Sequence, residues 1–491
     1  MKKQFYLLMI MVVMVLITGS CNKEFQRVNT NPNNLENPDA ATLLSNVLVS
    51  EFYNNADIAW TVGNGYSQYM TFSQDYYNTA TRYSPVTNDP YWNPMYEAAR
   101  DADILLSQAQ QDKNILMEAV ALTLRSYAFA QLTELWGDIP FKQALQGSSG
   151  KYTPAYDDQQ TVYTDSQAGI LPSLQRADSL LQTNPSALLN GDLLYKGNVN
   201  SWRRFINALR LRYLLRISSK TAVKSQMQSI LSEGMLMQNA SQSAVLTLPS
   251  IIPYNFPSLT ERSGDFNVKF LNSTLYNVFV NTDDSARLQA YFAPNANNAD
   301  QTAFSFSHYG GMPMVVDASS DQASTSSHFN SSFTAGSNSS VLKARIVTYA
   351  EQEFILSEAA LKGYISGDPN VYYQNGIIGA YNEIGLSAAQ ANAYLANANV
   401  QLNILNKDTA LSQIITQKWI ANINNGFEGW IEYNRTHYPD FQTGGSANLN
   451  NNTIPDRFLY PDAEKTINAD NYKNEIKKMG GAETTNYKAW W

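Results

Sequence analysis

Cysteine is nearly absent from this chain: Cys21 is the single one in 491 residues. A thiol without a partner in its own chain forms no intrachain disulfide, so no covalent framework holds the fold. Histidine is almost as scarce. His308, His328 and His437 lie far apart, without an H-E-x-x-H pattern, which excludes the helical zinc-protease motif. A G-x-S-x-G elbow and a phosphate-cradling glycine loop are also missing. Charge is sparse at 15% of residues, and the formal balance of −8 leaves no excess of cations for nucleic acid or anionic headgroups. The one basic cluster, Arg203, Arg204, Arg210, Arg212 and Arg216, shares its segment with Trp202, Phe205, Ile206, Leu209, Tyr213 and Ile217 at three- and four-residue steps. That spacing predicts an amphipathic helix with a solvated or ion-paired flank. Long apolar runs are absent but for Phe5 to Ile17, 13 residues, short of the roughly 20 that span a bilayer as a helix.

That run has a specific setting. Lys2 and Lys3 precede it, and the small residues Thr18, Gly19 and Ser20 lead to Cys21. The order is that of a signal peptide over residues 1–20, cleaved before Cys21, with acyl chains on its sulfur and new amino group. Thr18 stands where a lipobox usually has Leu. Cleavage removes two lysines and leaves the mature chain near about −10. Asn22 to Ala41 is polar, rich in Asn and Pro and aperiodic, so residues 21–41 read as a lipid-attached tether. The folded body is expected over 42–491.

Within the body, helical periodicity starts at Thr42 with Leu43, Leu44, Val47, Leu48 and Phe52 on one face. Asn54 to Pro94 reads as irregular. Further helices are expected from Tyr96, over Leu116–Leu132 ending at Trp136-Gly137-Asp138-Ile139-Pro140, and over Thr161–Leu181, Ser201–Ser219 and Ala222–Ser232. Three more are expected over Ala344–Gly363, Tyr372–Ile384 and Thr409–Asn424. Strand-like alternation is confined to pieces such as Ala244–Leu248 and Gly311–Val316. The pattern predicts a mainly α protein: helical hairpins from 42–240 and 341–425, and a loop-rich lobe, mainly 241–340 and 426–491, with few short strands. Hairpins in series suggest tetratricopeptide-like stacking, although no self-similar period stands out.

Several segments, in order, carry a family resemblance. They are AFAQLTELWGDIPF (128–141), followed by Thr153 to Asp157, and DLLYKGNVNSWRRFINALRLRYLLRIS (192–218). Then come TYAEQEFILSEAALKGY (348–364), ITQKWIA (415–421), EGWIEYNRTHYP (428–439) and RFLYPDAE (457–464). Together with NTNPN at 29–33, the chain resembles the SusD/RagB family of surface lipoproteins, in the SusD-like branch; it departs at Asn434-Arg435, where a pair of arginines is common. The resemblance implies tetratricopeptide-related hairpins against a loop-rich lobe. It also implies an outer-membrane lipoprotein facing the cell exterior that lids a SusC-type TonB-dependent transporter. Such a protein captures oligosaccharides, in a minority of members peptides, without catalysis, cofactor or metal.

A glycan site needs aromatic rings beside amides and carboxylates in loops. Residues 52–96 hold 12 aromatics in 45 positions, against about five expected from the 12% average, so the surplus marks this stretch. Trp60, Tyr66, Tyr69, Tyr76, Tyr77, Tyr91 and Trp92 are interleaved with Asn64, Gln68, Gln74, Asp75 and Asn78. Core packing is the competing reading: Tyr66, Tyr69 and Met70 share one helical face, and Trp92 and Tyr96 stand at i, i+4. A second patch holds Tyr254, Asn255, Phe256, Arg262 and Asp265, then His308, Tyr309, Gly310 and Gly311. A shared cleft requires loops of both lobes to converge. Asp283, Asp284 and Asp317 are a weak Ca²⁺ pattern, read as solvated. Rival functions are peptide capture by the same transporter-lid arrangement, a lipid-anchored glycan hydrolase and a protein-binding scaffold. The carboxylates Glu351 and Glu358 lie about 10.5 Å apart along one helix axis. A glycosidase pair faces inward across roughly 5–9.5 Å, so these two read as packing and ion-pair residues.

Overall fold

The computed structural model describes residues 39–75 and 80–491. The expected signal peptide, Cys21, nearly all of the tether, and Tyr76, Tyr77 and Asn78 lie outside the described residues. Nine helices form the frame: α1 (Ala40–Ile58), α2 (Asp89–Gln111), α3 (Ile115–Trp136), α4 (Ile170–Gln182), α5 (Val199–Arg216), α6 (Tyr349–Leu361), α7 (Pro369–Glu383), α8 (Lys407–Ala421) and α9 (Glu428–Thr436). Six of the nine start at a side chain that accepts an orphan backbone N–H. Asp39 caps Thr42 N at 2.7 Å, Asn114 caps Met117 N at 3.1 Å and Asn198 caps Ser201 N at 2.9 Å. α3 stops where Gly137 takes φ +85°, its N–H donating to Thr133 O at 2.9 Å.

Helices neighbouring in the chain pack on one another as expected for hairpins: α1 on α2, α2 on α3, α3 on α4, α4 on α5 and α6 on both α7 and α8. The strands are short and come in three antiparallel pairs. β1 (Met70–Phe72) pairs with β5 (Lys269–Leu271), β2 (Ile139–Pro140) with β3 (Tyr156–Asp157), and β4 (Ala244–Leu246) with β6 (Ala344–Val347). One hydrophobic core runs through α1 to α5 and the loop lobe; a smaller one joins α6, α7 and α8 around Phe354, Tyr373, Ile377 and Tyr381.

The structure corrects several boundaries. α1 continues six residues past Phe52, then widens into a π turn over Ala59–Gly63 and a last helical turn over Asn64–Tyr66. Gly63 is required there: a Cβ would meet Gly426 O at 2.1 Å, because the 424–426 turn is stitched to this helix end. Asn55 Nδ2 donates to Asn425 Oδ1 at 2.8 Å and Asn64 Nδ2 to Asn424 Oδ1 at 2.7 Å. The single helix expected over Thr161–Leu181 is two, since the Asp165 carboxylate accepts from Gln167 N and Ala168 N and turns the chain. Ala344–Val347 is strand, not helix, and Gly311–Val316 contributes only the bridge of Met312 to Asn272. Residues 241–340 are less bare than expected and include helices over Ser273–Asn281 and Ser285–Tyr291.

The arginine flank of α5 is not solvated. Arg203, Arg210, Arg212 and Arg216 are all buried, and they find carboxylates. Arg212 grips Glu351 at 2.7 and 2.5 Å. Arg216 donates to Glu134 at 2.8 Å, to Glu428 at 2.6 Å and to Glu432. Lys418 reaches Glu432 at 3.0 Å, and Arg435 spans Glu432 and Glu358, each at 2.7 Å. Burial alone would push these acids up. On Glu432 the surrounding Arg435, Lys418 and Arg216 outweigh it and hold the carboxyl well below its usual range; Arg435 does the same to Glu358, at about 2. Replacing Arg216 with Met leaves three buried carboxylates short of a counter-charge. We expect a loss of about 3–5 kcal/mol, read from urea midpoints.

Glu51 is the contrast. It is fully buried on α1, and neither carboxyl oxygen has a hydrogen-bond partner among the described residues. Burial pushes its acid well above the usual value, with the Tyr91 and Tyr127 phenols nearby. The folded state therefore holds this proton after the unfolded chain, titrating near about 4.3, has lost it. Stability falls as pH rises above that value, by about 1.4 kcal/mol per unit until the folded group ionises. Glu51→Gln cannot ionise, so its melting temperature should match the parent at pH 4 and exceed it at pH 8.

Candidate functional site

The two lobes do meet, and they meet at the loop that the aromatic count singled out. β1 lies in register with β5, Thr71 opposite Phe270 and Phe72 opposite Lys269. The ladder continues past the strand: Ser73 N donates to Val268 O at 2.9 Å, Ala318 N to Ser73 O at 2.8 Å and Asp75 N to Asp317 Oδ1 at 3.0 Å. A third segment closes from the C-terminal side. Arg82 pairs with Asp75 and donates to Ala447 O at 2.8 Å, and Leu449 N donates to Arg82 O at 2.7 Å. Gln68 ties the knot from below, donating to Tyr83 Oη at 2.8 Å and to Gln442 O at 2.6 Å while accepting from Thr274 at 2.5 Å. Three non-glycine residues here have φ of 55°: Gln68, Tyr83 and Asn88. Left-handed backbone at a bulky Tyr is strain of the kind that gathers at functional sites.

Beside this junction lies an open cleft of about 680 Å³. Thr61 and Val62 line it from the π turn, Asn88 and Asp89 from the start of α2, and Glu261, Arg262, Asp265 and Lys269 from the other lobe. Asn88 Nδ2 and Asp89 Oδ1 are buried without hydrogen-bond partners among the described residues. Gln74 and Asp75 are exposed at the junction. Amides, carboxylates and cations share this surface with the apolar Val62, Tyr66, Phe72, Ala80, Val86 and Pro90. Among the described residues it offers no group of three His, Cys, Asp or Glu able to hold a metal ion. Asp284, part of the weak Ca²⁺ pattern, is spent on Arg287 and on the Tyr381 hydroxyl at 2.7 Å.

Most of the rings expected to form a stacking platform are core instead. Trp60 is 1% exposed, its ring 4.8 Å from Phe329 and 5.4 Å from Phe333, its N–H donating to Glu261 at 2.9 Å. Tyr66 is wedged between Trp430 and Phe458 at 4.8 and 5.1 Å. Tyr69 lies on Trp419 at 4.9 Å and donates to its carbonyl at 2.6 Å. Tyr91 donates to Gln131 at 3.1 Å from inside the core. A ring enclosed on both faces offers none to a sugar, so Trp60, Tyr66 and Tyr69 change from platform to scaffold. Asn64 and Gln68 are likewise consumed internally. Trp92 is 5% exposed, packed on Trp136 at 5.1 Å, and its remaining edge lines a different groove.

In the second patch, Asn255 and Phe256 are buried and Tyr309 nearly so, covered by Phe304 at 5.7 Å. Tyr254 keeps 40% exposure with its edge against Tyr53. Arg262 and Asp265 pair at 2.8 Å at the cleft. Arg82, Asn88, Asp89, Glu261 and Lys269 were missed in the sequence. They carry no aromatic signal, and only the Asn-Asp-Pro helix start at 88–90 marked the spot.

Hairpins of tetratricopeptide type with a loop-built second lobe define the class of protein. A family model described as SusD-like, "starch-binding associating with outer membrane", matches residues 32–461, and the chain belongs to that family. Among solved structures, an outer-membrane protein of Bacteroides vulgatus ATCC 8482 assigned to nutrient binding is 27% identical. It superposes with a TM-score of 0.81 over 92% of this chain and 100% of that one. A SusD homolog from Bacteroides fragilis NCTC 9343 (24% identity, TM-score 0.80, 93% and 99% covered) shares the fold. So does a chitin-binding SusD homolog from Flavobacterium johnsoniae (21%, 0.75, 91% and 98%). No curated protein matches the chain. No helix among the described residues is long and apolar enough to cross a membrane.

The core assignment of the rings has a direct check. Trp60→Ala and Tyr66→Ala should each cost about 3–5 kcal/mol in unfolding free energy, seen as a large drop in urea midpoint. Unchanged midpoints would return those rings to the surface.

Proposed function

We propose that this protein is a noncatalytic lipoprotein that captures oligosaccharides at the junction of its two lobes and hands them to a SusC-type TonB-dependent transporter. The observation that carries the reading is the convergence itself. Gln68, residues 73–75, Arg82, the 261–269 turn, residues 317–318 and residues 442–449 are hydrogen-bonded into one surface beside a cleft that carries amide, carboxylate and cationic side chains. Sugar hydroxyls both donate and accept, and a wall of Asn, Asp, Glu, Arg and Lys answers both. The names of related proteins, starch-binding and chitin-binding, point to the same ligand class. Against a hydrolase, Glu351 and Glu358 are each committed to a buried arginine.

The proposal includes the ends that the described residues do not reach. Residues 1–20 act as a signal peptide, Cys21 carries the lipid, residues 21–41 form the tether, and the body 42–491 stands on the outer face of the outer membrane. Asp75 is the residue to test, since its side chain is half exposed at the junction. Calorimetry of the mature chain against neutral oligosaccharides should give binding without product. Asp75→Ala should weaken it roughly tenfold, the worth of a hydrogen bond to a charged group, with the melting temperature held. Turnover of the sugar, or binding of peptides alone, would sink the proposal. Co-purification with a large β-barrel protein, lost in Cys21→Ser cells, tests the delivery half.

A further inference from the structure

Trp92 and Tyr96, one turn apart on α2 with ring centroids at 4.9 Å, face a groove that the junction does not use. It encloses about 680 Å³. The stripe of α2 that forms one wall runs from Trp92 through Asn93, Tyr96, Glu97 and Arg100 to Ile104. Twelve rises of 1.5 Å between Trp92 and Ile104 make it about 18 Å long, a length for an oligomer rather than a single small molecule. The chain after α3 builds the other wall, with Pro140, Ala144 and Leu145 low and Ser148, Lys151 and Tyr152 at the rim.

Three properties select the ligand chemistry. Tyr152 is 72% exposed, an aromatic face standing in water. Trp92 is 5% exposed, and its indole N–H, which is not among the buried unpaired groups, is left available at the groove. Charges around the groove cancel: Glu97 and Glu464 oppose Arg100 and Lys151. Two of the four are already engaged, Arg100 with Asp101 at 2.9 Å and Glu464 with the Tyr156 hydroxyl at 2.6 Å. An ionic ligand gains little there, and Pro140 supplies no backbone donor for a peptide strand to pair with. A ring for stacking, an unspent N–H, neutral amide and hydroxyl groups and no net charge suit a neutral sugar.

We propose that this groove is a second glycan-binding surface, in which a neutral oligosaccharide stacks on Tyr152 and its hydroxyls reach Trp92 Nε1, Asn93 and Ser148. It rests on the proposed function for the ligand class alone, since the two surfaces have no residue in common.

The test is calorimetry of the mature full-length chain with maltohexaose, chitohexaose, xylohexaose and mannohexaose, on the parent, Tyr152→Ala, Asp75→Ala and the double variant. Tyr152 is exposed, so its removal leaves the melting temperature unchanged. The expected result is two sites for at least one sugar, one of them weakened roughly tenfold by Tyr152→Ala and the other by Asp75→Ala. A single site sensitive to Tyr152→Ala alone supports the groove and overturns the junction site. A single site sensitive to Asp75→Ala alone overturns the groove and leaves the junction standing. Sugar binding indifferent to Tyr152, or peptide binding in its place, also overturns the groove, and a chain that binds none of the four sugars overturns both readings.

Discussion

The structure depends on a buried charge lattice at the meeting point of five helices. Glu134 comes from α3, Arg212 and Arg216 from α5, Glu351 and Glu358 from α6, Lys418 from α8, and Glu428, Glu432 and Arg435 from α9. Desolvating so many ions is expensive, and an apolar centre of equal volume would cost less. Geometry is what the lattice contributes. Arg212 and Arg216, like Glu428 and Glu432, are four residues apart, and Glu351 and Glu358 seven, so each helix presents its charges on a single face. Any slip of one helix against another strands a charge in the core. The observed packing gives every lattice carboxylate at least one cationic partner, although Glu134 Oε2 and Glu428 Oε2 have no hydrogen-bond partner among the described residues.

That lattice also explains what the family resemblance is made of. Glu134 lies in the 128–141 motif, Arg212 and Arg216 in 192–218, Glu351 and Glu358 in 348–364, Lys418 in 415–421, and Glu428, Glu432 and Arg435 in 428–439. Of the others, the 457–464 motif closes the end of α3: Phe458 N donates to Leu135 O at 2.9 Å, Trp136 Nε1 to Leu459 O at 2.9 Å and the Tyr460 hydroxyl to Asp138 O at 2.6 Å. The recognisable segments are thus the ones that assemble the helical frame. They identify the fold and leave the ligand unstated.

The same division shows in what was legible from the sequence. Helix α3 and its stop at Gly137, the α6, α7 and α8 positions and the mainly helical class follow from apolar spacing and caps, which are local properties. Whether the α5 arginines face water or carboxylates is decided by residues more than 80 positions away, such as Glu134 and Glu351, and no local pattern encodes that. The surplus of aromatics in 52–96 marked the stretch where the two lobes meet, although most of its described rings are packed in the core. Trp60, Tyr66 and Tyr69 are there because a junction between two lobes needs large rigid rings beneath it. The polar surface above them is built by Asp75, Arg82, Asn88 and residues two hundred positions downstream, which pair only once the chain is folded.

Helix α2 links the two surfaces physically. Its first residues, Asp89 and Pro90, line the junction cleft, and its face from Trp92 to Ile104 lines the groove, so about 15 Å of rigid helix separates their centres. Both are open, and an open site buries little of a sugar, so under the proposed reading each alone would hold its ligand weakly and release it quickly. A polymeric glycan changes the arithmetic. Once one stretch is bound, the next is presented to the second surface at millimolar effective concentration, and the joint hold exceeds either one by a factor of about 10²–10⁴. Such a hold is strong for a long chain and weak for its fragments. Under the proposed hand-over to a transporter that difference would be useful, because a short product engaging one surface would leave without a conformational change to expel it.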